Sequence, residues 1–522
     1  MSVVDISSPV TGSRHCATSK IVIASDSDIS GLDPQKFKSD AGYAAVENLY
    51  DGLFDLEVAP RPDGTCRADA NSLVGEIIEG YELSDDGTVL TLRVRRNVLF
   101  SDGAPCLASS VKFTLERAIF GPGYLYPMME MLTVTTAEQI RLVDDYALEL
   151  HLLHPNPLLW YLLPLNSFSV MDRGNGEAQA TIDDPWASEW YSERALGTGP
   201  YLLGSIIRGE EYVFERNPLH WRNDGAGNDG VVMRVVPSAA ERMAALERGE
   251  VDVAYGVETR HLVECEENPN LRVLSSPSTF CTVMSLNNDV APFDDVRVRQ
   301  ALCYAIPYEE LRTEVMGGYC QPLLSPIPAG MPTHDGALWM YSTDLERARR
   351  LLSEAGYPDG FASQLIAREM RADEIQAARI IQRALRPLGV LLEVVAVSDL
   401  EYHGRLKQFP LAMFETFSWV NDPMYHLVAN LKGGSGKNLA NYNNPRVNEL
   451  IERGLYELDE ERREATAVEA QRIIIEEAPW ALLYQPHYTV VTSTEIEGYA
   501  FYPDLIPRYS YLRKSPHRAP VG

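Results

Sequence analysis

Short β-branched runs and amphipathic helical stretches take turns along this chain, and that alternation restricts it to a mixed α/β fold. At Ile21 a start rich in Ser, Thr and Gly gives way to IVIASDSD, which reads as a strand, and Leu32, Asp33 and Pro34 then turn the chain. Between Tyr43 and Phe54 apolar residues recur at three- and four-residue spacing (Ala44, Val46, Leu49, Leu53), predicting a helix that ends near Asp51 and Gly52. Gly80–Leu83 and Val89–Val94, separated by Asp85, Asp86 and Gly87, read as a hairpin. Ser109–Ala118 reads as a helix, Ile140–Leu153 as two strands turning at Asp144 and Asp145, and Val231–Val236 as a strand before the helix Ala239–Glu247. Further on, Thr343–Ala355 places Leu345, Ala348, Leu351 and Leu352 on one helical face and stops at Gly356. A second helix, Asp373–Leu388, is followed by Gly389 and the strand Val390–Val397.

A chain of 522 residues is too long for one core, and at roughly 150 residues per domain it should hold three or four units. No unit of 20 to 50 residues repeats. Lysine plus arginine number 46 against 74 acidic residues, a formal charge of −28 that repels phosphate backbones and excludes nucleic acid as a partner. No apolar window is long enough to span a bilayer. Residues 1–19 read as a flexible segment without the basic-then-apolar profile of a signal peptide, and Ser13, Arg14 and His15 argue against a lipid anchor at Cys16.

Catalytic signatures are missing. The seven cysteines are scattered without a CxxC pair, so a pair or two at most would be bridged. Gly433, Gly434, Ser435, Gly436 and Lys437 resemble a phosphate loop, but Leu431 stands where its first glycine belongs and Asn438 follows the lysine, so this reads as a surface loop. His151 and His154 lie in a stretch that reads as strand, where residues three apart face opposite ways, which argues against a metal site. No HExxH, GxSxG or GxGxxG occurs, and the reading assigns no catalytic residue, no cofactor and no metal.

Several segments fall in one recognisable order. Leu73–Gly103 (LVGEIIEGYELSDDGTVLTLRVRRNVLFSDG) is followed by Gly197-Thr198-Gly199-Pro200-Tyr201, by Glu241–Ala254 (ERMAALERGEVDVA) and by Pro292–Ile306 (PFDDVRVRQALCYAI). Asp344–Phe361 (DLERARRLLSEAGYPDGF), Tyr442–Leu450 and Pro479–Tyr484 (PWALLY) complete the series. From about Ile21 to Tyr511 the chain resembles the extracellular solute-binding proteins of family 5, the peptide, opine and nickel receptors of ABC importers.

That resemblance implies an α/β, two-lobed fold like that of periplasmic binding proteins (type II, cluster C), with an extra domain inserted in lobe I. Lobe I is expected at 20–58, 196–275 and 485–522, the insert at 59–195 and lobe II at 276–484. It further implies a receptor, not an enzyme, that captures a peptide, opine or sugar-phosphate-like solute in an interlobe cleft and delivers it to ABC permease and ATPase subunits. A monomer, periplasmic or cell-surface, is expected. The second reading is a cytoplasmic receptor-like protein adapted to a biosynthetic pathway as carrier or enzyme, which the missing signal peptide favours.

Candidate ligand residues follow from the resemblance. Peptide receptors of the family carry an aspartate a few residues after a tryptophan, and here Trp419, Val420, Asn421, Asp422 and Pro423 form a shortened version that lacks it. A buried ammonium without a carboxylate partner is costly, and Asn421 offers only a neutral acceptor. Asp422 reads either as a ligand residue or as a turn residue before Pro423, and Trp419 either as a pocket wall or as core. Phe280, Cys281 and Thr282 precede the strand Val283–Leu286, where the family's backbone meets its ligand. Lys36, Tyr43 and Glu47 lie on the first turn and helix of lobe I, and Tyr201 closes the glycine turn, whose two glycines permit positive φ and close backbone approach.

Overall fold

The computed structural model describes residues 4–5, 20–36, 38–222 and 227–515. The expected flexible segment 1–19, with Cys16, lies outside the described residues apart from the short strand Val4–Asp5. The chain divides into two compact units. The first gathers the residues up to Glu258, then Glu264–Leu274 and those from Thr489 onward; the second holds Thr259–Val263 and Ser275–Tyr488. Residues 59–195 fall within the first unit.

In the first unit Ile21–Ser25 lies between two parallel neighbours, Gly230–Val235 and Val253–Ala254. Beyond Gly230–Val235 the sheet continues antiparallel through Glu211–Arg216 to Tyr201–Ile207. Ile21, Ile23 and Ala24 are fully buried, as expected of a central strand that packs on both faces. The predicted hairpin forms between Ile78–Leu83 and Val89–Val94 and joins Ala147–His151 and Ile140–Asp144 in an antiparallel sheet. His154 lies beyond the end of that sheet, and its Nδ1 lies 3.0 Å from the Pro155 carbonyl oxygen.

The first helix runs Asp40–Leu49, where Ser39 caps it by accepting from the Gly42 amide at 3.1 Å. It stops against the glycine turn. The Gly199 amide donates to the Leu49 carbonyl at 3.1 Å, and a Cβ on Gly197 would stand 2.1 Å from that same oxygen. Neither Gly197 nor Gly199 has positive φ, contrary to the sequence expectation. These glycines serve the close approach of two backbones and not a left-handed turn.

The second unit is built on a mixed sheet. Ala362–Arg368 runs parallel to Leu391–Val397 and to Leu411–Thr416, and Cys281–Leu286 pairs antiparallel with both Leu411–Thr416 and Trp480–Ser493. Helices Val296–Ala305, Leu345–Glu354 and Ala372–Leu385 cover it. The predicted stripe of the second helix is seen: Ala348 and Leu352 are buried, Leu345 and Leu351 half-buried, and Arg349 and Arg350 exposed. Asp344 caps its start and Gly356, at φ +92°, ends it. Leu302, Leu365, Ile381 and Leu411 lie in one fully buried cluster, each contributing about 1.5–3 kcal/mol by leaving water.

Candidate functional site

The strand Cys281–Leu286 is buried along its whole length, so any polar group it and its neighbours carry must be satisfied inside the second unit. Thr282 is paired across the sheet with Glu415 on one side and Tyr484 on the other. Residues directly opposite one another share a face. The Thr282 hydroxyl donates to Glu415 Oε2 at 3.4 Å. Glu415 also accepts from Arg371, whose two terminal nitrogens lie 3.2 and 3.3 Å from its oxygens. Arg371 reaches Asp373 as well, at 2.9 and 2.7 Å. Burial works against the Arg371 charge, but Asp373 and Glu415 more than offset it and hold the guanidinium firmly protonated.

Aromatic rings extend this polar group. Phe280 and Phe417 lie 4.9 Å apart and Phe417 and Trp419 4.8 Å apart, centroid to centroid. The buried polar atoms here that make no hydrogen bond include the Tyr484 hydroxyl, the Thr279 hydroxyl and Asn421 Nδ2. Burial raises the Tyr484 phenol well above its ordinary range, with Asp373 and Glu415 adding to the effect, so it is a neutral donor. One guanidinium, two carboxylates, a row of rings and unused donors are the elements of a recognition site for a small polar molecule.

Other sequence candidates have partners of their own. Asp422 is fully buried; one oxygen accepts from the Tyr425 amide at 2.8 Å, capping the helix Pro423–Asn430, and the other accepts from Arg463 at 2.5 Å. Cys281 is fully buried, and burial first and Glu415 second push its thiol up, so it stays protonated. In the first unit Tyr201 is core: its hydroxyl donates to Asn228 at 3.1 Å and its ring meets Tyr509 edge-on. Tyr43 is buried with its hydroxyl 3.4 Å from that of Tyr124. Lys36 donates to the Ser188 carbonyl and the Ser192 hydroxyl at 3.5 and 3.4 Å. Glu47 lies 2.8 Å from Arg508; burial pushes its carboxyl up while that guanidinium opposes the shift.

The second unit thus brings Phe280, Thr282 and Trp419 into one constellation, with Asn421 two residues beyond Trp419 in sequence, and the four first-unit candidates each have different neighbours. Arg371, Asp373, Glu415 and Tyr484 escaped the sequence reading. Glu415 left one signal, a lone charge in the otherwise uncharged strand LAMFET. The six described cysteines are all free, so no bridge forms among the described residues. Nor, among them, do three or more His, Cys, Asp or Glu side chains gather where they could hold a metal ion.

Residues 72–438 match the model of bacterial extracellular solute-binding proteins, family 5 Middle. The chain belongs to that family. It is a ligand-binding receptor of the kind that serves ABC import, not an enzyme. The glutathione-binding protein GsiB of Salmonella typhimurium is 26% identical over 521 residues, covering 96% of this chain and 95% of that protein. Among solved structures, the periplasmic binding protein DppA from Helicobacter pylori in complex with the peptide STSA superposes with a TM-score of 0.80 at 23% identity, over 95% of this chain and 98% of that one. NikA from Brucella suis, in complex with Fe(III)-EDTA, gives 0.82 at 22% identity over 95% and 100%. These neighbours share the two-lobed binding-protein fold. No described helix is long and apolar enough to cross a membrane. The cytoplasmic carrier or enzyme of the second reading finds no support among these relatives.

Proposed function

We propose that this chain captures a peptide-like zwitterion of the glutathione or short-peptide type for an ABC permease and its ATPase, acting outside the cytoplasmic membrane as a monomer. Glu415 beside Arg371 carries this reading. The motif after Trp419 lacks the carboxylate that would meet a ligand ammonium, and Glu415, on the strand leading into that motif, supplies one. Arg371, Asp373 and Glu415 together hold one net negative charge, which a single ligand ammonium neutralises. Trp419, Phe417 and Phe280 offer apolar walls, and Thr282, Asn421 and Tyr484 polar contacts. Asp422, Cys281, Lys36, Tyr43, Glu47 and Tyr201 serve as structural supports.

Calorimetry of the purified chain against glutathione, a set of dipeptides, an opine and a sugar phosphate tests the assignment. A zwitterionic peptide should bind, and Glu415→Gln should weaken it by about tenfold or more, equivalent to about 1.4 kcal/mol. Binding of the sugar phosphate alone would refute it.

A further inference from the structure

The second unit holds a cavity of about 240 Å³ that none of the Arg371–Glu415 constellation lines. Thr282 pairs with Tyr484 but Val283 pairs with Leu482, so Leu483 is the extra residue of a β-bulge. Leu482 and Leu483 both pack towards Trp339 and Tyr341, whereas Tyr484 belongs with Thr282 and Glu415. The bulge therefore directs one strand to two separate sites.

Aromatic rings make the wall of this cavity. Trp339 meets Tyr308 edge-on at 5.8 Å and Tyr341 at 5.1 Å. Both tyrosine hydroxyls are spent, on the Cys303 and Ile475 carbonyls at 2.8 Å each, so these rings offer apolar surface. The charge comes from Arg312, on the π-helical turn Leu311–Val315, a widened turn of the sort that recurs at functional sites. Arg312 pairs with Glu309, but the arginine side chain is 25% exposed and the glutamate side chain 75%. Glu309 also borders the cavity, but its side chain is far more exposed than that of Arg312, so the carboxylate is the better solvated member of the pair. An exposed pair of this kind is weak, so an incoming carboxylate can replace Glu309 at little cost and gain the bidentate geometry. A cationic ligand would have to take Glu309 from Arg312 and leave the less exposed guanidinium unpaired beside it.

We infer that this cavity is a second binding site, separate from the solute site, and that it takes a small aromatic carboxylate, its ring against Trp339 and its carboxylate on Arg312.

Calorimetry and saturation-transfer NMR on the full chain, with phenylacetate, uncharged phenylacetamide and cationic benzylamine, test it. Phenylacetate should bind in the millimolar range or tighter and at least about tenfold better than phenylacetamide. Arg312→Gln should abolish that advantage, Glu309→Gln, which frees the guanidinium, should tighten binding, and Arg371→Gln should change neither. Glu309→Gln alters an exposed side chain, so it remains informative if Arg312→Gln lowers the melting temperature. No binding, equal binding of phenylacetamide, preference for benzylamine, or loss of binding in Arg371→Gln would each overturn the assignment.

Discussion

Asp422 and Arg463 meet 2.5 Å apart, Oδ2 to Nη2, the carboxylate wholly buried and the guanidinium 12% exposed. The second carboxylate oxygen starts the helix Pro423–Asn430. Asp422→Ala leaves a nearly buried guanidinium unpaired and a helix uncapped, so it should cost about 3–5 kcal/mol in chemical denaturation. Adding Arg463→Met should recover part of that loss. A single-variant loss under about 1 kcal/mol would show that the pair is not desolvated as described.

Gly199→Ala forces a Cβ to within 2.5 Å of the Leu49 carbonyl carbon. Backbone cannot yield as a flexible side chain can, and the expected cost is about 1–3 kcal/mol, read as a lower melting temperature. Gly404, within the helix Asp399–Arg405, has nothing within 4 Å of its added Cβ, so Gly404→Ala should be stabilising by about 0.5–1 kcal/mol.

His426 is fully buried, and burial, with Lys437 adding to it, pushes its imidazole from 6.5 down to about 4. Between those values the unfolded chain holds a proton that the folded chain refuses, so stability should fall as pH drops from 6.5 to 4, by roughly 3 kcal/mol in all. Denaturation midpoints measured across that window should flatten in His426→Leu. An unchanged slope would assign the acid sensitivity to other groups.

A solute that binds only the folded chain stabilises it by mass action, by about 2.7 kcal/mol at a hundred times its Kd. Glutathione or a dipeptide held on Arg371 and Glu415 should therefore raise the melting temperature of the native chain and raise it clearly less in Glu415→Gln. Equal shifts in both would place the solute elsewhere.

Much of the architecture was legible because local periodicity and caps coincide with the tertiary demand. The helix predicted at Ala239–Glu247 is observed with those limits, and Thr343–Ala355 is trimmed only to Leu345–Glu354, where Asp344 provides the cap. The hairpin around Asp85–Gly87 and the strand after Gly389 likewise need only local turn chemistry. Misreadings arose where a residue's role depends on what crosses it from afar. Gly197 and Gly199 show the need for glycine in sequence, but its cause is the distant Leu49 carbonyl.

By itself the amino-acid order determined the strand and helix segments, the family and the absence of catalytic motifs, since each is written in neighbouring residues or in the succession of short motifs. Only tertiary structure decided which polar groups share a site. Arg371 and Glu415 stand 44 positions apart and Thr282 and Glu415 133 apart, and nothing in either stretch announces the other. Sheet register brings them together: a strand shifted by one residue would turn Glu415 to the opposite face, and that register is set by how the whole apolar face packs.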